Sequence, residues 1–385
     1  MNKKDKYIFV IANCSWYIYN FRYELFKELN NRGYKIILIS NKDEYYRFIN
    51  KFIFRFENLF LIRGSENLLI ELITIIQIIF LYLKYKPYII INFTIKPCIY
   101  GSLIARSLNC KKIINHITGL GPSFFSSRLK IKILNKLLDP IYKFSFNNKN
   151  VINIFHNNYD RNTFVKKNFA KLENTFLIGG SGVDIKYFSQ EESSHKVNKN
   201  VQILFPARLI KEKGIMELLE ACEGLWKQNY EFTLNIAGEI DKHNNSSLKE
   251  KNLKQYLKNP KIKFLGKKDN ILEVYKCSDI VVLPSWREGL SKSLLEAAAM
   301  SLPIITSQAP GCKDLIKNNY SGILVPLRDA QKIKLAIKKL IDNPTLAKQY
   351  GRNARKIVEK DFEVNHINKK ILKIYDNYLD NYLDN

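Results

Sequence analysis

Asp279-Ile-Val-Val-Leu-Pro284 runs directly into Ser285-Trp-Arg-Glu-Gly-Leu-Ser-Lys-Ser-Leu-Leu-Glu-Ala-Ala-Ala-Met300. A short β-branched run ended by proline reads as a buried strand, and the small-residue run after it reads as a helix over 291–300. Two glutamates, Glu288 and Glu296, stand eight positions apart in this stretch. A carboxylate at the mouth of a strand–loop–helix junction can face a ligand lying at the helix N-terminus. Eight residues is close to a whole number of helical turns, so the second glutamate is expected to point the same way. That geometry suits recognition of several sugar hydroxyls by one element.

On either side of this stretch the strand–helix alternation repeats along the chain, the pattern of βα units on parallel sheets. In the second half, strands are predicted at 201–206, 231–237, 262–265, 279–283, 303–306 and 322–325. Helices fit 214–228, 247–257, 269–277, 291–300, 311–318 and 329–343, with one further helical stretch over 346–381. In the first half, strands fit 7–12, 35–40, 88–92, 112–116 and 151–155, with helices near 20–32, 67–84, 98–108, 128–145 and 158–167. Leu177-Ile-Gly-Gly-Ser-Gly-Val-Asp184, followed by a polar stretch to Asn200, reads as the interdomain connection. The expected organisation is α/β, with two doubly wound domains facing a central cleft. They would be residues 1–180 and 181–361, with a C-terminal helix of about 362–385 packing back on the first.

Composition agrees with two cores: 385 residues with 46% hydrophobic side chains exceed what one core organises. The six cysteines, at 14, 98, 110, 222, 277 and 312, are scattered without C-x-x-C pairs and read as reduced thiols of a cytosolic protein. The N-terminal apolar run is short and lacks a small-residue cleavage site, so no signal peptide is expected.

Net charge is +26, unevenly spread: residues 1–190 carry 29 Lys and Arg against 12 Asp and Glu, the remainder 33 against 24. Between Lys84 and Lys149 there are 12 basic residues and one acidic, Asp139. Such a bias points either to an anionic partner (membrane surface, polyphosphate or nucleic acid) or to a solvated lysine-rich surface. Leu68–Leu83 is apolar apart from Thr74, Glu71, Gln77 and Tyr82, but falls short of the roughly 20 residues that cross hydrocarbon. It is expected to be a buried or membrane-contacting helix rather than a span. Arg128-Leu-Lys-Ile-Lys-Ile-Leu-Asn-Lys-Leu-Leu-Asp139 fits an interfacial helix or an ordinary amphipathic helix on a sheet.

The chemistry concentrates in the second half. Phe205-Pro-Ala-Arg-Leu-Ile-Lys-Glu-Lys-Gly214 puts Arg208 and Lys213 in a loop at the top of the sheet. Cations there, beside helix N–H groups, suit a diphosphate whose negative charge grows as it leaves. An isolated Arg and Lys would be surface charges; here they accompany Ala237-Gly-Glu239, Phe264-Leu-Gly266 and the spaced glutamates. A carboxylate accepts two hydroxyl hydrogen bonds, which fits Glu296 to a ribose diol. The competing account of both glutamates is a helix N-terminal carboxylate favoured by the macrodipole.

Ala207-Arg-Leu-x-x-x-Lys-Gly214, Ala237-Gly238, Phe264-Leu-Gly266, Pro284-Ser-x-x-Glu-Gly-Leu, the E-x7-E spacing and Gly311-Cys-x-Asp-Leu-Ile316 resemble the family-4 retaining glycosyltransferases of GT-B fold. The order and spacing agree over essentially the whole second domain. The resemblance implies a nucleotide-sugar donor, UDP-linked, held by this domain. Arg208 and Lys213 would contact the diphosphate, Glu296 the ribose and Glu288 the transferred sugar. Gly238, Gly289 and the backbone of Leu290-Ser291-Lys292 would belong to the same donor set, and Gly266-Lys267 would face the base.

In the first half, Asn13-Cys-Ser-Trp-Tyr-Ile-Tyr-Asn-Phe-Arg22, Asn92-Phe-Thr-Ile-Lys-Pro-Cys-Ile-Tyr-Gly-Ser-Leu-Ile-Ala-Arg106 and Asn115-His-Ile-Thr-Gly-Leu-Gly121 resemble bacterial members that extend polyprenyl-diphosphate-linked sugars. They imply an acceptor domain. Lys96 is the candidate for the acceptor phosphate, Thr118 belongs to the acceptor set, and Ser15 lies near the donor. Glu288 and His116 are the candidate catalytic residues; His116 resembles a histidine that family members use near the donor sugar, and the alternative is a structural histidine after a strand. Asn13-Cys-Ser15 stands where many relatives carry a Gly-Gly pair, and Thr118 where some carry glutamate.

No D-x-D occurs in the chain, so no metal and no cofactor are expected, with Arg208, Lys213 and helix-end amides balancing the leaving-group charge. A retaining outcome is implied by the resemblance, and no carboxylate stands out as a covalent nucleophile, which favours same-face displacement. Closure of the domains over the donor is expected. The product would be a hexose or N-acetylhexosamine on a lipid-linked saccharide of a surface polysaccharide or O-antigen. The protein would sit in the cytoplasm, peripherally on the inner face of the cell membrane, with an anionic membrane surface as a partner. Two competing readings are a nucleotide-sugar epimerase of similar architecture and a basic nucleic-acid-binding protein. No RNP-, KH- or zinc-finger-like pattern accompanies the charge, so no nucleic acid is expected.

Overall fold

Runs such as Ile8-Phe-Val-Ile11 and Ile89-Ile-Ile91 have no polar side, so they are stable as strands only where both sheet faces are covered. The computed structural model describes residues 7–62, 67–121, 124, 129–189, 200–241, 244 and 246–380, with backbone alone at 129–132, 134, 135 and 380. It divides into two units, Met1–Ser181 with Ile367–Asn385, and Gly182–His366.

The first unit holds seven parallel strands: β1 (Tyr7–Cys14), β2 (Lys35–Asn41), β3 (Arg55–Asn58), β4 (Ile89–Phe93), β5 (Lys112–Ile117), β6 (Val151–Phe155) and β7 (Thr175–Leu177). Their order is β3-β2-β1-β4-β5-β6-β7. Alternate side chains serve opposite layers. Ile8, Val10, Ile36, Leu38 and Ile91 pack against α1 (Ser15–Asn31) and the residues from Ile367 onward of the C-terminal helix Val364–Asp380. Phe9, Ile11, Ile37, Ile39 and Ile90 pack against α3 (Leu68–Tyr85) and α4 (Ile95–Ser107). A short α2 (Tyr46–Ile49), α5 (Leu129–Phe146) and α6 (Asn158–Lys166) complete the layers. Within the sheet, Asn92 donates to Asn115 at 2.9 Å and Asn115 to Asn153 at 3.1 Å. This buried rung fixes the register of β4, β5 and β6 where they end at the candidate site.

The second unit has six parallel strands: β8 (Val201–Phe205), β9 (Phe232–Ile236), β10 (Ile262–Phe264), β11 (Ile280–Leu283), β12 (Ile304–Ser307) and β13 (Ile323–Val325), ordered β10-β9-β8-β11-β12-β13. Around them lie α7 (Ile215–Trp226), α8 (Glu250–Leu253), α9 (Ile271–Lys276), α10 (Lys292–Ala299), α11 (Ala330–Asp342) and α12 (Pro344–Asp361), followed by α13, the helix Val364–Asp380 that returns to the first unit from Ile367 onward.

Three helix predictions are corrected. Residues 311–318 form turns, because the Asp314 carboxylate takes the Gly311 amide at 2.7 Å and Leu315 N bonds to Cys312 O, three residues back. The expected helix over 247–257 shrinks to α8 and a 3₁₀ turn at Tyr256–Lys258. The long terminal helix breaks between α12 and α13, where Val183 N donates to Phe362 O and Val364 N donates to Val183 O.

In each sheet the strand order reverses beside the first strand, between β1 and β4 and between β8 and β11. Open parallel sheets bind ligands beyond the strand carboxyl ends at such points.

The apolar segment expected to be a buried or membrane-contacting helix is only partly buried. In α3 only Thr74, Ile78, Leu81 and Tyr82 are buried, and its outer side presents large apolar side chains to solvent. It is also the helix, among the described residues, that is long and apolar enough by composition to cross a membrane.

Candidate active site

Two loops, 206–214 after β8 and 284–291 after β11, meet at the reversal point of the second sheet. Lys213 Nζ pairs with Glu288 Oε1, and the Ser285 hydroxyl donates to the same oxygen at 2.7 Å. Their side chains are only 17% and 12% exposed, so the pair is largely withdrawn from solvent screening. Trp286 N donates to Glu212 O at 2.8 Å, and Trp286 Nε1 to Glu217 at 3.1 Å, tying the loops together.

Gly214 makes that contact sterically feasible. It sits at φ +74°, and a Cβ there would lie 2.2 Å from Pro284 O. Gly214→Ala is therefore expected to destabilise the second unit by about 2 kcal/mol and to move Lys213 away from Glu288. A Tm matching the unsubstituted protein would refute this.

Arg208 forms an ion pair with Asp241 in the loop after β9, a partner with no sequence motif. The contact runs from Arg208 Nη1 to one Asp241 oxygen, Oδ2. Gly238, just beyond β9, brings the two loops into backbone contact: a Cβ there would fall 1.8 Å from Ala207 O.

Glu296 lies on α10 and is 9% exposed. The Tyr275 hydroxyl is 3.1 Å from its Oε2 and 3.0 Å from Ser293 O, and Lys292 Nζ is 3.9 Å from its Oε1. Burial raises the Glu296 pKa above the ordinary carboxylate value, with Lys292 and the Tyr275 bond pulling it back. The same burial lowers the Lys292 pKa, opposed by Glu296. Ser291 is buried at the N-cap of α10 and makes no side-chain cap bond. Gly289 and Leu290 lie half-buried just before it. Gly266, at φ +67°, and exposed Lys267 follow β10.

Glu288 and Glu296 do not share a helix face, contrary to the expectation from their spacing. The helix begins at Lys292, so Glu288 is on the preceding loop and helical periodicity does not align it with Glu296. Glu288 is oriented instead by Lys213, by Ser285 and by its own N–H, which donates to Pro310 O at 3.1 Å.

In the first unit, the candidates gather at the carboxyl ends of β1, β4 and β5. Thr94, directly after β4, has φ +73° and ψ 161°, a region that costs a β-branched residue about 1–3 kcal/mol. Lys96, in the first turn of α4, bonds Glu71 of α3 at 2.5 Å and Ile62 O at 3.3 Å. Tyr100 donates to the other Glu71 oxygen at 2.6 Å. Thr118 is half-buried after β5.

Ser15 and His116 are both fully buried. The His116 ring stacks on Phe93, its centroid 4.6 Å away, and its Nε2 lies 2.6 Å from the Tyr375 hydroxyl. Burial, reinforced by Arg22 and His156, holds its pKa well below the usual imidazole range, so the ring is neutral at pH 7. In this position the imidazole is packed between Phe93 and Tyr375. Arg22 is buried beside it and bonds His156 Nε2 at 3.0 Å. Sequence reasoning had assigned no role to Arg22, His156, Asp241 or Ser285.

Two parallel doubly wound units of this kind define the GT-B glycosyltransferase architecture. HepE from Anabaena, solved in complex with UDP and glucose, superposes with a TM-score of 0.76 at 17% identity, over 97% of this chain and 99% of that one; the likeness is one of fold. Residues 187–357 match the family "Glycosyl transferases group 1" and residues 8–157 match "Glycosyl transferase 4-like". The chain belongs to these glycosyltransferases, its second unit to the first family and its first unit to the second.

Two relatives are similar along most of the chain. The N,N'-diacetylbacillosaminyl-diphospho-undecaprenol alpha-1,3-N-acetylgalactosaminyltransferase of Campylobacter jejuni is 25% identical over 375 residues, 94% of this chain and 96% of that protein. The capsular polysaccharide biosynthesis glycosyltransferase CapM of Staphylococcus aureus is 26% identical over 324 residues, 80% and 82% of the two chains. The protein is thus a glycosyltransferase related to enzymes of lipid-linked sugar assembly.

Proposed function

We propose that the protein is a retaining glycosyltransferase that moves a hexose or N-acetylhexosamine from a nucleoside-diphosphate sugar, UDP-linked, to a polyprenyl-diphosphate-linked saccharide. The observation that carries this reading is the Lys213–Glu288–Ser285 cluster at the reversal point of the second sheet, with Arg208 on the same loop as Lys213. The acceptor class is supported by the diphospho-undecaprenol relative.

An ammonium has three donors, so Lys213 can hold Glu288 and a phosphate oxygen together. Glu288 accepts hydroxyls of the transferred sugar, and Glu296 accepts the ribose hydroxyls. As the bond from the sugar carbon to phosphate breaks, Lys213 and Arg208 take up the charge. Arg208 exchanges Asp241 for the diphosphate. The acceptor hydroxyl then attacks from the side the phosphate leaves, and its proton passes to the departing phosphate oxygen. These cations replace a bound metal, and the first unit takes the lipid acceptor, its charge directed to a membrane rather than to nucleic acid.

The test is a panel of nucleotide sugars against a lipid-diphosphate monosaccharide, with Glu288→Ala and Glu296→Ala as controls. Expected is label in the organic-extractable lipid, with the donor's anomeric configuration kept, undiminished in EDTA and lost in both variants. Transfer retained in both variants would overturn the site. Loss in EDTA restored by Mg²⁺, or a trapped glycosyl-enzyme adduct, would overturn the mechanism.

A further inference from the structure

We propose that the outer face of α3 is a membrane-docking surface that lies flat in the headgroup region of an anionic bilayer. The inference specifies where the membrane contact is made and rests on the lipid-acceptor reading only for its biological purpose.

Leu68, Leu69, Leu72, Ile76, Phe80 and Leu83 are each more than half exposed. At about 100° per residue they fall within one arc of roughly 120°. Contiguous apolar surface of this kind marks an interaction site on a soluble fold. The opposite side of the helix is fixed to the first unit along its length. Thr74 Oγ1 donates to Phe60 O at 2.5 Å, Gln77 accepts from Phe60 N at 2.9 Å, and Glu71 holds Lys96 and Tyr100. Ile78, Leu81 and Tyr82 pack into the core against the sheet. Crossing a bilayer would strip these polar bonds in hydrocarbon. The helix contacts a membrane broadside.

Charge decides the occupant. Lys84 and Lys86 are exposed at the C-terminal end of α3. On the same sheet face α4 packs against both α3 and α5, and α5 exposes Ile133 and Leu137 beside exposed Lys136 and Lys143. Arg106 of α4 lies 4.1 Å over the Phe144 ring. From Lys84 to Lys149 the single acid is Asp139. Apolar side chains flanked by cations suit an anionic interface, whereas a second copy would bring like charges together.

The test is flotation of the full chain with vesicles of equal parts phosphatidylglycerol and phosphatidylcholine. The combined Leu72→Gln, Ile76→Gln and Phe80→Gln variant should partition about a hundredfold less, with an unchanged thermal transition. A second variant, Lys84→Glu with Lys86→Glu, should bind about tenfold less and with weaker salt dependence. Flotation unchanged in both variants, or an unmodified chain that fails to float, would overturn the proposal. So would a dimer of the unmodified chain that the triple variant dissociates. The triple variant should keep transfer to a water-soluble short-chain lipid-diphosphate acceptor and lose it to the vesicle-embedded form. If the unmodified chain transfers to neither acceptor, the functional reading fails, while flotation still decides the docking surface.

Discussion

Lys213→Met is expected to lower kcat for sugar transfer by about 10²–10³, the cost of removing one preorganised donor from a developing oxyanion. Methionine keeps the length and apolar stem of lysine, so the loop anchored by Gly214 and by the Trp286 N to Glu212 O bond should survive. Ser285 still donates to Glu288 in the variant, so that carboxylate is not stranded. The loss should therefore fall on kcat rather than on Tm. Glu288→Gln should cost less than Lys213→Met, and the double variant little more than the single, because two groups sharing one contact act as a unit. A Lys213→Met enzyme within threefold of the unsubstituted kcat would remove Lys213 from the reaction. A matching fall in Tm would recast it as a structural residue.

The elements legible in the sequence are those whose side chains have one environment. Val151–Phe155 and Ile280–Leu283 are buried on both faces, so composition alone marks them as strands. β3 and β7 were not visible, because Arg-Phe-Glu-Asn and Thr-Phe-Leu owe their strand form to a neighbour's edge rather than to their own pattern. The loops beyond β8 and β9 stood out through Gly214 and Gly238, which permit backbone contact. Asp241 did not, because a lone aspartate in a loop carries no periodic signal. Arg22 had one: it lies four residues from both Ile18 and Phe26, which are fully buried, so helical spacing already placed a guanidinium inside the first unit. The outer face of α3 was the hardest to read, since an apolar run gives no indication of which side lacks a protein partner.

Glu296→Gln is expected to weaken donor binding about 10- to 100-fold while raising the Tm of the donor-free protein at neutral pH. The first effect follows because a carboxylate offers two charged acceptors to a ribose diol, each worth about 1.5–3 kcal/mol, and an amide offers one neutral acceptor. The second follows from the raised pKa. Between the unfolded and the folded pKa the native state binds more protons than the unfolded one, so stability falls as pH rises through that window. Above it the ionised, buried carboxylate is a standing cost that glutamine relieves. Donor affinity runs the other way. It needs the carboxylate, so it should be lost as pH falls through the folded pKa, setting in at higher pH than for a solvated glutamate. In Glu296→Gln this limb of the pH profile should be absent. Calorimetric donor titrations from pH 4.5 to 8, beside thermal melts at the same pH values, separate the two effects. A variant that loses stability and affinity together would mean that Glu296 is held for packing with Tyr275, not for the ribose.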